Sequence, residues 1–302
     1  SESLIFCPNC YHFIGMRAHC DACHWTRSSG VSSAVGRLCW ETRIFEADSL
    51  ADSSIFLTQI TSCQGRLVIP TEDGRIAVLD PDSGQQIWMR SLHPEGKLRV
   101  QAAATWMDQL LLGGQNLAAL PSYDYKLAAW DAGTGEEIWQ WPTSADNLSI
   151  PWIDQDRAYF TSSEPKVYAI DLIERRLCWS AVSHNWSPEP PVLADEKVIV
   201  PSRGPSVAAY RAGDGQNLWT FAADDPESEL LHHRPAISNG MALLSGWGKR
   251  LYAVDLESGN LRWRFSAKRG ITAPPVAAGD KILVAVKDIS EADDEVKPSY
   301  GL

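Results

Sequence analysis

The chain has 302 residues, a mass of 33.3 kDa, 44% hydrophobic and 22% charged residues, which is room for one large domain plus a small appendage of ordinary globular composition. A formal net charge of −11 argues against a general nucleic-acid binder, whose footprint is basic. No apolar run approaches the length of a membrane-spanning helix, so no membrane contact is expected.

The first element is a metal-ligand pattern. Cys7-Pro-Asn-Cys10 and Cys20-Asp-Ala-Cys23 are two Cys-x-x-Cys pairs nine residues apart. Each pair can wrap a tight knuckle, and four thiolates converging on one ion make a closed, structural, tetrahedral Zn²⁺ site. The stretch resembles a zinc ribbon, expected over residues 1–27, with structural Zn²⁺ held by Cys7, Cys10, Cys20 and Cys23. So short a segment has too little core to fold alone, and the metal would supply its stability. Iron in a rubredoxin-like site and a redox disulfide are weaker readings, the latter because no βαβ pattern surrounds the pairs. With four thiolates available, His12, His19 and His24 are read as surface residues. Leu4-Ile-Phe-Cys7 is similar to a bacterial lipoprotein cleavage site, but Phe6 is large for the position before a lipidated Cys and no signal-like region precedes it. Zinc is therefore the expectation. Residues 28–35 follow as a polar linker. The remaining Cys39, Cys63 and Cys178 are scattered, and an odd total of seven points to a reducing, hence cytoplasmic, compartment.

From residue 36 to 302 one pattern recurs: an apolar strand ending in Asp, a turn closing on Gly, and a strand carrying Trp. It reads Ile76-Ala-Val-Leu-Asp80 with Gly84 and Trp88, then Leu127-Ala-Ala-Trp-Asp131 with Gly135 and Trp139. Val167-Tyr-Ala-Ile-Asp171 follows with Arg175 and Trp179, and Val207-Ala-Ala-Tyr-Arg211 with Gly215 and Trp219. The cleanest copy is Leu251-Tyr-Ala-Val-Asp255 with Gly259 and Trp263. With Trp40 of an orphan strand, the Trp spacings are 48, 51, 40, 40 and 44 residues. Repeats of this length, each holding several short strands, are the signature of a β-propeller, because one twisted sheet cannot bury both its apolar faces alone. The repeat resembles the quinoprotein-type, or PQQ-like, propeller family, whose pattern runs roughly Leu-Tyr-Ala-Leu-Asp-x-x-Thr-Gly-x-x-x-Trp. The expected fold is all-β: six four-stranded blades closed by the N-terminal strand, plus the ribbon. Closure is expected because Gly36–Phe45 offers the outermost strand that a last blade, ending at Pro298–Leu302, lacks.

Within each blade four strands, A to D, run from the centre outward. The A–B and C–D turns are short throughout, whereas D–A connections swell at Thr42–Leu57, Ser91–Val100 and Ala223–His233, and B–C connections at Gly113–Lys126 and Asp288–Lys297. Long loops on one end of a rigid scaffold mark a working face. Candidate partner-binding residues there are Arg99, Tyr123, Tyr125, Trp186, Glu189, His233, Arg234 and Trp247, none required by the repeat. Arg99, Glu189 and Arg234 precede A strands and would set charges at the channel. His232 and His233, as strand neighbours, would point apart and share no ion. Lys249, Arg250, Arg262, Arg264, Lys268 and Arg269 form a basic cluster near Trp247, fit for an acidic segment or a nucleic-acid backbone, or simply solvated.

The family resemblance implies a quinone-dependent dehydrogenase only where an adjacent Cys-Cys pair and a calcium cradle occur. This sequence has no Cys-Cys dipeptide, so neither PQQ nor catalytic residues are expected. The expected function is a non-enzymatic, cytoplasmic protein-interaction scaffold, with the zinc ribbon as a second docking module. The alternatives are small-ligand or quinone binding in the channel, and a nucleic-acid contact through the ribbon.

Overall fold

The computed structural model of the chain describes residues 42, 60–70, 74–91, 98–99, 103–112, 115–116, 126–142, 148–185, 189–225, 230–279 and 281–287. The four ribbon cysteines, the linker, the expected closing strand apart from Thr42, and residues 288–302 lie outside the described residues.

Every regular element among the described residues is a strand. In chain order they are β1 (Thr61–Cys63), β2 (Arg66–Pro70), β3 (Arg75–Leu79), β4 (Gln86–Ser91), β5 (Leu98–Arg99), β6 (Ala104–Trp106), β7 (Gln109–Leu112), β8 (Gln115–Asn116), β9 (Lys126–Asp131) and β10 (Glu137–Pro142). They continue as β11 (Trp152–Asp154), β12 (Arg157–Ser162), β13 (Lys166–Asp171), β14 (Arg176–Val182), β15 (Val192–Ala194), β16 (Lys197–Val200), β17 (Ser206–Arg211) and β18 (Asn217–Ala222). The last are β19 (Ala236–Ser238), β20 (Met241–Leu244), β21 (Arg250–Asp255), β22 (Leu261–Ser266), β23 (Gly270–Ile271), β24 (Val276–Ala278), β25 (Lys281–Leu283) and β26 (Val286–Lys287). Twenty of them form five four-stranded sheets, β1-β2-β3-β4, β6-β7-β9-β10, β11-β12-β13-β14, β15-β16-β17-β18 and β19-β20-β21-β22, and the other six pair as β5-β8, β23-β26 and β24-β25. Each four-stranded sheet is the A-to-D meander expected of a blade. The chain divides into two compact units, Ser1–Leu110 with Ala129–Trp139, and Leu111–Ala128 with Gln140–Leu302.

The repeated residues explain the turns. In the fifth blade Asp255 Oδ1 accepts from the Ser258 backbone N–H at 2.8 Å and from its hydroxyl at 2.7 Å, and Gly259 takes φ +70°. Asp80 and Asp131 bind their turns in the same way. Strand D carries a bulge one residue before its Trp, at the same register, in the first, third, fourth and fifth sheets.

Glycine in this turn also answers to the Trp of the preceding blade. Within the first unit, a Cβ on Gly135 would lie 2.8 Å from the Trp88 ring, and Trp88 Nε1 donates to the Ala132 carbonyl at 3.0 Å. Within the second, Gly215 faces Trp179 and Gly259 faces Trp219, with indole N–H bonds to Ala212 O at 2.9 Å and Leu256 O at 3.0 Å. The buried indole thus covers a bare backbone and satisfies its one polar atom there. The third-blade turn has Arg175 at φ +53° in place of Gly, and within the first unit Trp139 Nε1 donates to Gln109 Oε1 at 2.9 Å.

Between the fourth and fifth sheets the core joins Val207, Ala209, Trp219 and Phe221 to Ala242, Leu244, Tyr252 and Val254. A polar clasp follows the Trp: Lys197, at the start of β16, reaches Glu257 in the fifth-blade turn at 2.6 Å.

One expected strand divides. Lys281–Lys287 reads as a continuous strand B, but β25 stops at Leu283, and β26 pairs instead with β23 in the preceding connection. The Thr272 N–H to Ala285 O bond at 3.1 Å draws the chain across. Single bridges make related ties, Leu148 to Ser162 at the end of β12 and Leu230 to Trp247 in the B–C connection of the fifth blade.

Candidate docking site on the loop-rich face

The connections leaving strands B and D lie at one end of each sheet by strand polarity. Of the eight expected partner residues, Tyr123, Tyr125 and Trp186 lie outside the described residues, and Arg99 is placed by its backbone in β5. Glu189, His233, Arg234 and Trp247 are described, all within the second unit.

Trp247 sits on a short B–C connection held by its backbone. The residue bridges Leu230, Gly248 O accepts from the Ile271 N–H at 2.8 Å, and Lys249 O accepts from Ala267 at 2.7 Å. Gly246 is obligatory by space alone, since a Cβ there would fall 1.3 Å from the Leu230 carbonyl oxygen. On this fixed loop Trp247 remains 55% exposed, and the His232 ring stands edge-on to its indole at 5.1 Å.

The histidines correct the expectation that neighbours point apart. Residues 231–235 are not a strand, and the His232 and His233 rings lie 4.5 Å apart. Backbone bonds turn the chain: Leu231 N–H to Gly204 O at 2.8 Å and His233 N–H to Ser245 O at 3.1 Å. His233 is buried, with Nδ1 3.1 Å from Ser245 Oγ. Burial first, and then the neighbouring His232, lower its pKa to about 4. His232 is lowered as well, mainly by burial and further by the positive charge of Arg203. Both rings are therefore neutral at pH 7.

Deeper in the face, the Arg234 guanidinium lies 4.7 Å from the centroid of the Trp152 ring, a cation–π contact. Arg234 and Glu189 attract one another, yet burial raises the Glu189 pKa and lowers that of Arg234. Desolvation outweighs the pairing for both. Trp152 was legible only as a Trp outside the repeat; nothing in the sequence tied it to Arg234.

The basic cluster divides by partner. Arg262 Nη2 donates to Asp255 at 2.7 Å, Arg264 pairs with Asp224, and Arg250 lies 3.5 Å from Asp225. Lys249 and Lys268 are exposed and make no ion pair among the described residues. No group of three or more His, Cys, Asp or Glu side chains able to hold a metal occurs among the described residues.

Strand order, the Asp–Gly turns and the docked Trp define an all-β, propeller-like protein of PQQ-type repeats. The family model described as outer membrane protein assembly factor BamB matches residues 27–181, 72–219 and 203–296, and the chain belongs to that family. The BamB of Yersinia pestis is 29% identical over 48% of this chain and 40% of its own length. The BamB of Nitrosomonas eutropha is 22% identical over 74% of this chain and 53% of its own. The dehydrogenase subunit of a quinone alcohol dehydrogenase from Acetobacter aceti is 24% identical over 81% of this chain but only 30% of its own length. The chain thus spans about half or less of these curated relatives. The crystal structure of BamB from Moraxella catarrhalis superposes with a TM-score of 0.60 at 16% identity, covering 75% of this chain and 68% of that one. These relatives overturn the cytoplasmic assignment, since their name attaches the family to the assembly of outer membrane proteins. The expectation of no membrane involvement has no support from them either. The cytoplasmic reading rested on unpaired cysteines. Cys63 and Cys178 are indeed free, but a thiol held within a packed sheet does not report the redox state outside it.

Proposed function

We propose that the chain is a non-enzymatic protein-interaction scaffold, working in the assembly of outer membrane proteins and docking partners on its loop-rich face. The observation that carries this is Trp247: a large aromatic ring left exposed on a loop whose backbone is fixed on both sides. Fixed aromatic and Arg side chains are the usual energetic anchors of protein interfaces. The absence of a Cys-Cys dipeptide from the sequence supports the non-enzymatic reading. The quinone dehydrogenase relative favours the alternative, and bound quinone absorbance in the purified protein would replace the scaffold reading with it. The test is capture of envelope proteins by the purified chain. Trp247→Ala with Arg234→Ala should lower capture about tenfold or more with thermal stability nearly unchanged. Equal loss from Glu257→Gln, in the turns at the other end of the blades, would refute the face assignment.

The remaining architecture is part of the same proposal: a zinc ribbon over 1–27, a linker over 28–35, and a propeller over 36–302 of six blades, closed by pairing Gly36–Phe45 with the last blade. Support comes from the Cys spacing and from a sixth hairpin, β24 with β25, following five complete sheets. Metal analysis of protein purified without chelators should find one zinc per chain, bound through Cys7, Cys10, Cys20 and Cys23. A disulfide between any two of them would exclude it.

A further inference from the structure

The net charge of −11 makes any locally basic surface of this protein conspicuous, and the structure shows where one survives. Arg250, Arg262 and Arg264 are absorbed by Asp224, Asp225 and Asp255. Lys249 lies two residues after Trp247, and Lys268 lies on the following connection. Those two segments are joined by the Ala267–Lys249 and Ile271–Gly248 backbone bonds. Exposed Leu230, bridged to Trp247, adds an apolar flank. An apolar anchor beside two ammonium groups that meet no acid among the described residues, on a backbone that need not reorganise, suits one kind of ligand.

We propose that this surface binds an acidic polypeptide segment: a partner's apolar side chain packs on Trp247 and Leu230, while its flanking carboxylates meet Lys249 and Lys268. The inference rests on the scaffold reading and specifies the partner's chemistry. A peptide fits better than a nucleic-acid backbone for two reasons. The chain as a whole repels an extended polyanion, and Asp224 and Asp225 sit beside the site. A short segment with acids at two places carries less charge and meets less of both costs.

The probe is a capped, fluorescein-labelled peptide of Glu and Asp around one Phe, titrated with the full chain and read by anisotropy. Binding should weaken about tenfold in Lys249→Glu/Lys268→Glu, since two opposed charges become repulsive. It should also weaken as salt rises and exposed charges are screened. Trp247→Ala should weaken it independently. Several results would overturn the inference: no binding of the peptide, equal binding of a version with Lys for every acid, or equal binding to the charge-reversed variant. So would equal binding of single-stranded DNA. So would binding seen only after Asp293, Asp294 and Glu295 are neutralised, because the chain's own acidic stretch would then be the occupant. Partner capture lost with Trp247→Ala but indifferent to salt and to the two lysines would overturn this inference and leave the scaffold reading standing. Capture indifferent to Trp247 and Arg234 would remove that reading itself.

Discussion

The two ends of the blades use the same backbone differently. At the C–D end the second-, fourth- and fifth-blade turns solve one problem in nearly one way: a side chain caps the turn, Gly takes positive φ, and the Trp of the preceding blade closes over it. At the opposite end one backbone tie recurs, the residue after strand D donating to the residue before strand C at Ser183–Pro165, Ala223–Pro205 and Ala267–Lys249. The side chains there do not recur: a buried His, a cation over an indole and an exposed Trp sit where the repeat demands none. Recurrence in this chain marks what holds the sheets together, and departure from recurrence marks what is free to serve a partner.

The sharpest way to break that contrast is to fill a turn. Gly215→Val puts a side chain where even a Cβ would lie 2.4 Å from the Trp179 ring, at φ +76°. The substitution should cost about 3 kcal/mol or more, from left-handed backbone strain plus a displaced indole. Gly213→Ala, two residues away with nothing within 4 Å, should be close to neutral. Denaturant midpoints of the two variants decide the point, and equal effects would mean that the indole does not dock on the turn.

At the other end the expected effect is smaller and depends on pH. The His233 pKa is depressed from 6.5 to about 4, so the folded protein takes up its proton later than the unfolded chain. Its contribution is complete above pH 6.5 and is lost as pH falls toward 4, amounting to about 2–3 kcal/mol. Replacing His233 by Gln should flatten stability over that window. An unchanged pH profile would show that His233 is not buried neutral.

The smallest effect should come from the clasp. Glu257 is 82% exposed on its side chain, so Glu257→Gln should cost under about 1 kcal/mol, and added salt should erase the difference.

The repeat was legible because its chemistry is local: Asp80, Gly84 and Trp88 are spaced by the turn and strand they build, and the same spacing returns at Asp255, Gly259 and Trp263. Strand A of the later blades is likewise marked locally, by Pro190–Pro191, Pro235 and Pro274–Pro275 just before Val192, Ala236 and Val276. The candidate site was legible only as a set of residues left over. Adjacency of His232 and His233 suggests opposed side chains if the backbone is a strand, and hydrogen bonds to Gly204 and Ser245, 27 and 12 residues away, prevent it from being one. The split of Lys281–Lys287 has the same origin, since the partner that takes Val286 is Ile271. Trp152 under Arg234 joins residues 82 apart. The compartment failed for another reason: cysteine count was asked to report a location that free Cys63 and Cys178 do not record.

The staple between neighbouring blades is directional, from the Trp of one blade to the turn of the next. A head-to-tail contact of this kind is not self-complementary and carries no count of its copies. Each joint is a nearest-neighbour bond, as in a linear array of repeats. A gene can therefore gain or lose a blade by duplication or deletion without redesigning any joint, provided that the first and last blades still find partners. Relatives of quite different length can then share one local grammar, and in them the number of repeats is a property of the chain's history more than of its chemistry.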